Sequence, residues 1–187
     1  MSTDALDNLP IGRGAAAGVG AYLLGYLVTY LLHGSSIRDA FVTGVIEFFA
    51  GDPVAWKLVG WLFYNAHGVA ATVPGLFGES TVNFVAGSGE PALTALYAVV
   101  ALAVVGAGAA TGLGTESLAE GAQAGATVVL GYLPLAVVGA FLFRVGGDDA
   151  VAGPTLVTAI LLAGLFYPLV LGAVGGAVAG AVGGTDS

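Results

Sequence analysis

Residues 52–75, which read DPVAWKLVGWLFYNAHGVAATVPG, decide how the rest of the chain is interpreted. The segment is apolar enough to enter a bilayer, and Asp52–Pro53 is a typical helix start because proline tolerates the first helical position. At about 100° per residue, one arc carries most of the polar and small side chains: Lys57, Trp61, Tyr64, Asn65, His67, Gly68, Thr72 and Gly75. Lipid offers polar groups no hydrogen bonds, so this arc is predicted to face other helices or a wet cavity.

The composition indicates a membrane protein. Of the 187 residues, 57% are hydrophobic and 9% are charged, and the mean hydropathy is +0.95. An average soluble domain carries about 25% charged residues, so a soluble fold could not cover its surface with polar groups. Residues 1–13 and 184–187 are too short to fold alone. The sequence therefore predicts one integral membrane domain over residues 1–187.

Apolar runs long enough to cross a bilayer predict an all-α bundle of five transmembrane helices. These spans cover residues 14–33, 53–75, 91–113, 118–145 and 154–183. Residues 37–50 form a shorter amphipathic helix of about 21 Å, predicted to lie along the membrane interface. A loop helix packed on the bundle and a re-entrant half-helix are the alternatives. Capping boxes at Ser36–Asp39 and Ser117–Glu120 are predicted to start two of the helices.

Glycines recur at a spacing that favours close helix packing. Seven glycines are predicted to pack helices together: Gly14, Gly18, Gly164, Gly172, Gly176, Gly180 and Gly184. Small residues four positions apart let another backbone approach closely. The packed helix could belong to the same chain or to a second copy. Pro134 and Pro168 lie inside predicted spans and are predicted to kink them.

The polar arc supplies the candidate functional residues Asn65, His67, Tyr64, Lys57 and Thr72. In a regular helix His67 would lie near the bilayer midplane. A histidine at that depth has two interpretations. It could relay protons or contact a ligand, or it could be a neutral imidazole hydrogen-bonded to a neighbouring helix. Asn65 could contact a solute or make an interhelical hydrogen bond. Lys57 could snorkel to the interface, where tryptophans also anchor helices.

The remaining polar residues do not suggest catalysis. Glu47 could pair with Lys57 or face water. We find no motif of a hydrolase, metalloprotease or nucleotide-binding loop, so we predict no catalytic residue, no enzymatic activity and no cofactor. The chain has no cysteine, and its two histidines are far apart in sequence, so we also predict no metal site. Twelve acidic residues against four basic ones would repel nucleic acid and anionic lipid headgroups.

The acidic balance, the single lysine and the helices rich in Ala, Gly and Val resemble the small multi-pass membrane proteins of haloarchaea. Some of those proteins carry automatic labels such as transporter, and their functions are uncharacterised. The resemblance covers the whole chain but lies in composition and layout. It implies an archaeal plasma membrane, and it assigns no functional residue.

Two functions remain open. In the first, the protein passes a small solute or ion as a homo-oligomer, with Asn65 and His67 lining the path. In the second, it is a non-catalytic structural or accessory subunit of a larger membrane complex. Five spans would place the termini on opposite sides, with two basic residues on each side. Because Arg13 adjoins the first helix, we expect the N-terminus inside.

Overall fold

A computed structural model describes residues 9–75, 78–147 and 150–184, and most of them are helical. The first half contains α1 (Ile11–Arg38), α2 (Phe41–Ala50), α3 (Ala55–Asn65), β1 (Ala71–Gly75), β2 (Gly78–Val82) and α4 (Phe84–Gly87). The second half contains α5 (Pro91–Gly112), α6 (Leu118–Ala126), α7 (Val129–Leu142), β3 (Val145–Gly147), β4 (Ala150–Pro154), α8 (Leu156–Thr158), a π-helix (Ala159–Phe166) and α9 (Tyr167–Gly183).

Four helices in the described residues are long and apolar enough to cross a membrane. Their bounds are Ile11–Arg38, Pro91–Gly112, Leu118–Leu142 and Leu156–Gly183. They overlap four of the five predicted spans. The described part of the chain is therefore compatible with a multi-pass membrane protein.

The predicted helix over residues 53–75 is wrong. Helix α3 ends at Asn65, and the chain turns before β1 begins at Ala71. Gly68 adopts a left-handed φ of 76°, which a continuing helix does not permit. At 11 residues α3 is about 16 Å long, too short to cross a bilayer. The helical wheel consequently misplaced Thr72, which lies on a strand.

A small antiparallel sheet corrects the all-α prediction. Its strand order is β2-β1-β4-β3, and β1 and β2 form a hairpin in which Ala71 pairs with Val82. Strand β1 also pairs with β4, through Ala71 and Pro154. These strands have three to five residues, too few to give a periodic pattern between long apolar helices. Leu76, Phe77, Asp148 and Asp149 lie outside the described residues.

Helix boundaries near the predicted interfacial helix also differ. Helix α1 continues through Gly34 to Arg38, so Ser36–Asp39 does not cap a new helix. Helix α2 begins at Phe41 after Ala40, which makes no side-chain capping bond. The capping residue predicted at Ser117 is confirmed, because its hydroxyl accepts a 3.2 Å hydrogen bond from the Glu120 backbone nitrogen.

The predicted spans over 118–145 and 154–183 are both interrupted. Helices α6 and α7 are separated at residues 127–128, and Pro134 lies exposed inside α7. The later interruption is the wide π-helix, which ends directly before Tyr167–Pro168 at the start of α9. Thr127 bonds back to the Ala124 carbonyl with its hydroxyl, an interaction that competes with the regular helix.

The contacts divide the chain into two compact units. The first comprises the described residues of 1–24, 101–135 and 164–187. In this unit Gly172 and Gly176 of α9 lie against Gly125 and Gly121 of α6. A Cβ added to Gly176 would lie 2.0 Å from the Gly121 carbonyl oxygen. This part of the glycine pattern packs helices of the same chain.

The other predicted packing glycines lie as follows. Gly14 adjoins Thr127, and a Cβ on Gly18 would lie 2.1 Å from the Val128 carbonyl oxygen. Near the C-terminus, a Cβ on Gly180 or Gly184 would lie 2.3 Å or 2.6 Å from the carbonyl oxygen of Ser117 or Glu116. Gly164 is buried. Six of these seven glycines thus have close neighbours within the chain. The second unit, residues 25–100 and 136–163, contains α3 and the sheet.

Candidate functional site

Helix α3 begins against an acceptor supplied by the preceding helix. Glu47 Oε1 accepts hydrogen bonds from the backbone nitrogens of Val54, at 2.9 Å, and Ala55, at 3.3 Å. Val54 precedes the helix and has no polar side chain, so the carboxylate satisfies amides that the helix itself cannot pair. Neither sequence interpretation of Glu47, pairing with Lys57 or facing water, describes this role. Glu47 instead fixes where α3 starts.

Aromatic side chains of α3 bond to backbone carbonyls elsewhere in the second unit. The Trp61 indole donates a 2.7 Å hydrogen bond to the Phe143 carbonyl, and the Tyr64 hydroxyl donates to the Ala136 carbonyl. Phe143 also lies under Gly60, whose missing side chain leaves room for the phenyl ring. Trp61 and Tyr64 are both buried. The sequence had suggested that Trp61 anchors the helix at the membrane interface. In the structure its side chain is buried inside the second unit.

Asn65 ends α3 and connects three parts of the second unit. Its amide nitrogen donates a 2.7 Å hydrogen bond to the Val69 carbonyl, and its side-chain oxygen accepts a 2.8 Å bond from the Phe84 backbone nitrogen. Its own carbonyl accepts from Asn83 Nδ2 at 3.3 Å. The side chain is fully buried with both its polar atoms bonded. Asn65 thus holds the turn after α3 against the start of α4.

His67 lies in that turn and is 0% exposed. Its Nδ1 is 2.8 Å from the Phe63 carbonyl oxygen, and the Phe63 ring meets the imidazole edge-on at a centroid distance of 4.8 Å. Burial lowers the pKa of His67 to about 4, because the charged imidazole loses its solvation. The residue falls outside the four membrane-length helices, whereas the sequence had placed it at the midplane of a span. Its imidazole is neutral at neutral pH.

The other two predicted lining residues lie apart from this cluster. The Lys57 ammonium is 5.6 Å from the centroid of the Trp56 ring, at a partly exposed position. The Thr72 hydroxyl is 3.0 Å from that of Thr155, which also donates to the Ala70 carbonyl. The structure therefore brings together Tyr64, Asn65 and His67, which we call the α3 cluster.

All three residues of the α3 cluster are 0% exposed. Among the surface depressions in the described residues, one lies around Arg38 and Phe41 and another around Glu116 and Gln123. Neither is lined by a residue of the α3 cluster. Residues 9–75, 78–147 and 150–184 contain no group of three His, Asp or Glu side chains that could hold a metal. The arrangement supports hydrogen bonding within the chain.

Sequence reasoning missed Glu47 as the cap of α3 and Asn83 as a partner of Asn65. It also missed Thr155, the partner of Thr72 outside the α3 cluster. Asn83 accepts hydrogen bonds from the backbone nitrogens of Val85 and Ala86, and so caps α4. An asparagine directly before an apolar run was a signal for that cap. The partners of Glu47 and Thr155 depend on the tertiary fold, and no local pattern indicates them.

Comparison with known proteins gives a family without an activity. One family model, described as a family of unknown function, matches residues 1–183. No curated protein and no solved structure matches the chain. The match covers almost the whole sequence, so it concerns the membrane-length helices and the α3 cluster alike. It names no substrate, partner or catalytic residue.

Proposed function

We propose, from the premise that the chain belongs to this family of unknown function (DUF7978), that it is a non-catalytic structural or accessory subunit of a larger complex in the plasma membrane. One observation carries this proposal: the polar side chains of the α3 cluster bond to backbone atoms of their own chain. Tyr64 bonds to Ala136, Asn65 to Val69 and Phe84, and His67 to Phe63.

A solute path requires polar groups that can exchange their partners for water or solute. Leaving a buried hydrogen-bonding group unsatisfied costs about 1–3 kcal/mol. The Asn65 side chain makes two such bonds, so opening them together would be costly. These side chains therefore support the fold of the second unit, and the contact with a partner would use other surfaces.

Four spans give a different orientation from five. Both termini then lie on one side, and residues 39–90 and 143–155 lie on the other. Arg38, Lys57 and Arg144 belong to this second side, and Arg13 to the side of the termini. Positive residues favour the cytoplasmic side. The proposed orientation therefore has residues 39–90 in the cytoplasm and both termini outside, the reverse of the orientation expected from five spans.

One observation favours the second candidate, a solute path through a homo-oligomer. The last membrane-length helix contains the π-helix directly before Pro168. Such irregular turns often occur at functional sites, and transporters place binding sites at broken helices. In this candidate function the π-helix would flex, and the α3 cluster would open to water during transport.

Thiol accessibility distinguishes the two functions, because the chain contains no cysteine of its own. Asn65→Cys and His67→Cys are prepared separately and exposed in nanodiscs to a small polar thiol reagent. Ser80→Cys, at an exposed site, is the reactive control, and Val59→Cys, at a buried site, is the protected control. The structural function predicts protection at positions 65 and 67. Labelling there at the rate of Ser80→Cys, in protein that remains folded, would contradict it and support the solute path.

A further inference from the structure

Helix α2 presents its apolar side chains outward and its polar side chains inward. Phe41 and Phe48 are 89% and 83% exposed, and Val42 and Val45 are exposed on the same side. Thr43 is 1% exposed, and Glu47 bonds to the start of α3. Glu47 fixes this orientation, because turning the helix over would break the cap on α3. The outer face of α2 therefore requires an apolar environment.

The length of α1 places α2 at the level of the lipid headgroups. Helix α1 has 28 residues, or about 42 Å at 1.5 Å per residue. A bilayer including its headgroups is about 40–45 Å thick. Arg38 ends α1 and so lies in the headgroup layer, about two helical turns beyond the exposed side chains of Leu31 and Leu32. Helix α2 starts three residues later, and Arg38 lines one surface depression together with the exposed apolar residues of α2.

Arg38 supplies a charge at the edge of this face. Its guanidinium makes no hydrogen bond or ion pair with any other residue that the structure describes, and it lines one surface depression with Phe41, Gly44, Val45 and Phe48. Asp39 lies at the rim of the same depression. Gly44 leaves the floor open, since a Cβ added there would meet nothing within 4 Å. A guanidinium beside an apolar surface is suited to an amphiphilic ligand, which has a charged headgroup and apolar chains.

We propose that this depression binds one phospholipid of the adjoining leaflet, with its phosphodiester on Arg38 and its acyl chains over Phe41, Val45 and Phe48. A guanidinium binds phosphate oxygens through paired hydrogen bonds, which a local site can form although the chain as a whole is acidic. This inference rests on the proposed insertion in the membrane and is independent of the role of the α3 cluster. The phospholipid would hold α2 in the interface and so hold Glu47 on the start of α3.

Two kinds of variant test the site. Arg38→Gln removes the charge, and Arg38→Lys keeps it without the paired geometry. Gly44→Leu fills the depression from a position where the added side chain meets no protein atom. The matched controls are Arg144→Gln, another arginine at the end of a membrane-length helix, and Gly106→Leu, a second open glycine. Each full-length variant is delipidated in detergent, titrated with phosphatidylglycerol and weighed by native mass spectrometry.

The wild type is expected to retain one phospholipid in preference to further copies. Arg38→Gln and Gly44→Leu should weaken this binding at least tenfold, Arg38→Lys should weaken it less, and both controls should bind as the wild type does. Two results would overturn the proposal. One is that Arg38→Gln and Arg144→Gln bind phosphatidylglycerol equally well. The other is that the mass spectrum shows a second protein chain bound in place of the lipid. Release of the protein from membranes by alkaline carbonate would instead overturn the proposed membrane insertion. Thiol labelling at position 65 would affect only the proposed function.

Discussion

Glu47 Oε1 lies 2.9 Å from the backbone nitrogen of Val54 and accepts its hydrogen bond. The same oxygen also accepts from Ala55, so one carboxylate of α2 serves as the N-terminal cap of α3. A capping residue usually precedes its helix directly. Here it lies seven positions before Val54, and the cap joins α2 to the start of α3.

Replacing Glu47 with alanine should therefore destabilise the protein. Loss of an N-cap acceptor costs about 1 kcal/mol, and the expected result is a lower midpoint of thermal unfolding in detergent. Glu47→Gln keeps a side-chain oxygen and should recover much of the loss. Glu79→Ala, at an exposed position on β2, is the control. Equal midpoints for Glu47→Ala and Glu79→Ala would show that the cap contributes nothing.

The contact between α9 and α6 gives a second prediction. A Cβ at Gly176 would lie 2.0 Å from the Gly121 carbonyl oxygen, and relief requires the two backbones to separate. Gly176→Ala should cost about 1–3 kcal/mol, as overpacking does in other cores. Gly106→Ala meets nothing within 4 Å and should be neutral or stabilising by up to about 1 kcal/mol. The free energy of unfolding in mixed micelles measures both.

Particle mass separates packing within the chain from packing between copies. Because the close neighbours of Gly176 belong to the same chain, Gly176→Ala should change stability without changing the mass of the solubilised particle. A variant of normal stability whose particle loses mass would place this glycine between two copies.

Local sequence features could predict the membrane-length helices but not the end of α3. A span can be recognised from the length and apolar composition of its own residues. The runs over 14–33, 91–113, 118–145 and 154–183 could therefore be predicted as helical. Helix α3 ends because Gly68 has a left-handed φ and because Asn65 bonds to Phe84, nineteen residues later. The sequence offers no signal for such a distant partner.

The candidate site was predictable only in part for the same reason. A helical wheel assumes one regular helix, and it grouped Tyr64, Asn65 and His67, which do lie together. It also included Lys57 and Thr72, which do not. Thr72 lies on β1, where its hydroxyl meets Thr155. The short strands of the sheet are stabilised by one another, so none of them is evident alone.

The proposed orientation can be tested with an impermeant thiol reagent on intact cells. Glu116→Cys lies between the second and third membrane-length helices and should be labelled from outside. Ser80→Cys lies in residues 39–90 and should be labelled only after the membrane is permeabilised. Both sites are exposed, so both should react in detergent, which is the control for reactivity. The opposite pattern in intact cells would place the termini in the cytoplasm.

The burial of the His67 imidazole predicts that the stability of the protein depends on pH. Burial holds its pKa at about 4 in the folded protein, against an ordinary value of 6.5. Between these values the unfolded chain binds a proton that the folded protein does not, so stability falls as the pH falls through this window. At pH 4.5 the loss should be about 2–3 kcal/mol, and above pH 6.5 it should vanish.

The substitution His67→Gln isolates this contribution, because all other titratable residues are the same in both proteins. The difference in unfolding free energy between His67→Gln and the wild type is measured from pH 4.5 to 7.5. It should shift in favour of the variant as the pH falls, because glutamine takes up no proton. His33→Gln, at a half-buried position, is the control. Parallel curves for the wild type and His67→Gln would mean that the imidazole is not buried from water in solution, and the solute path through the α3 cluster would then be favoured.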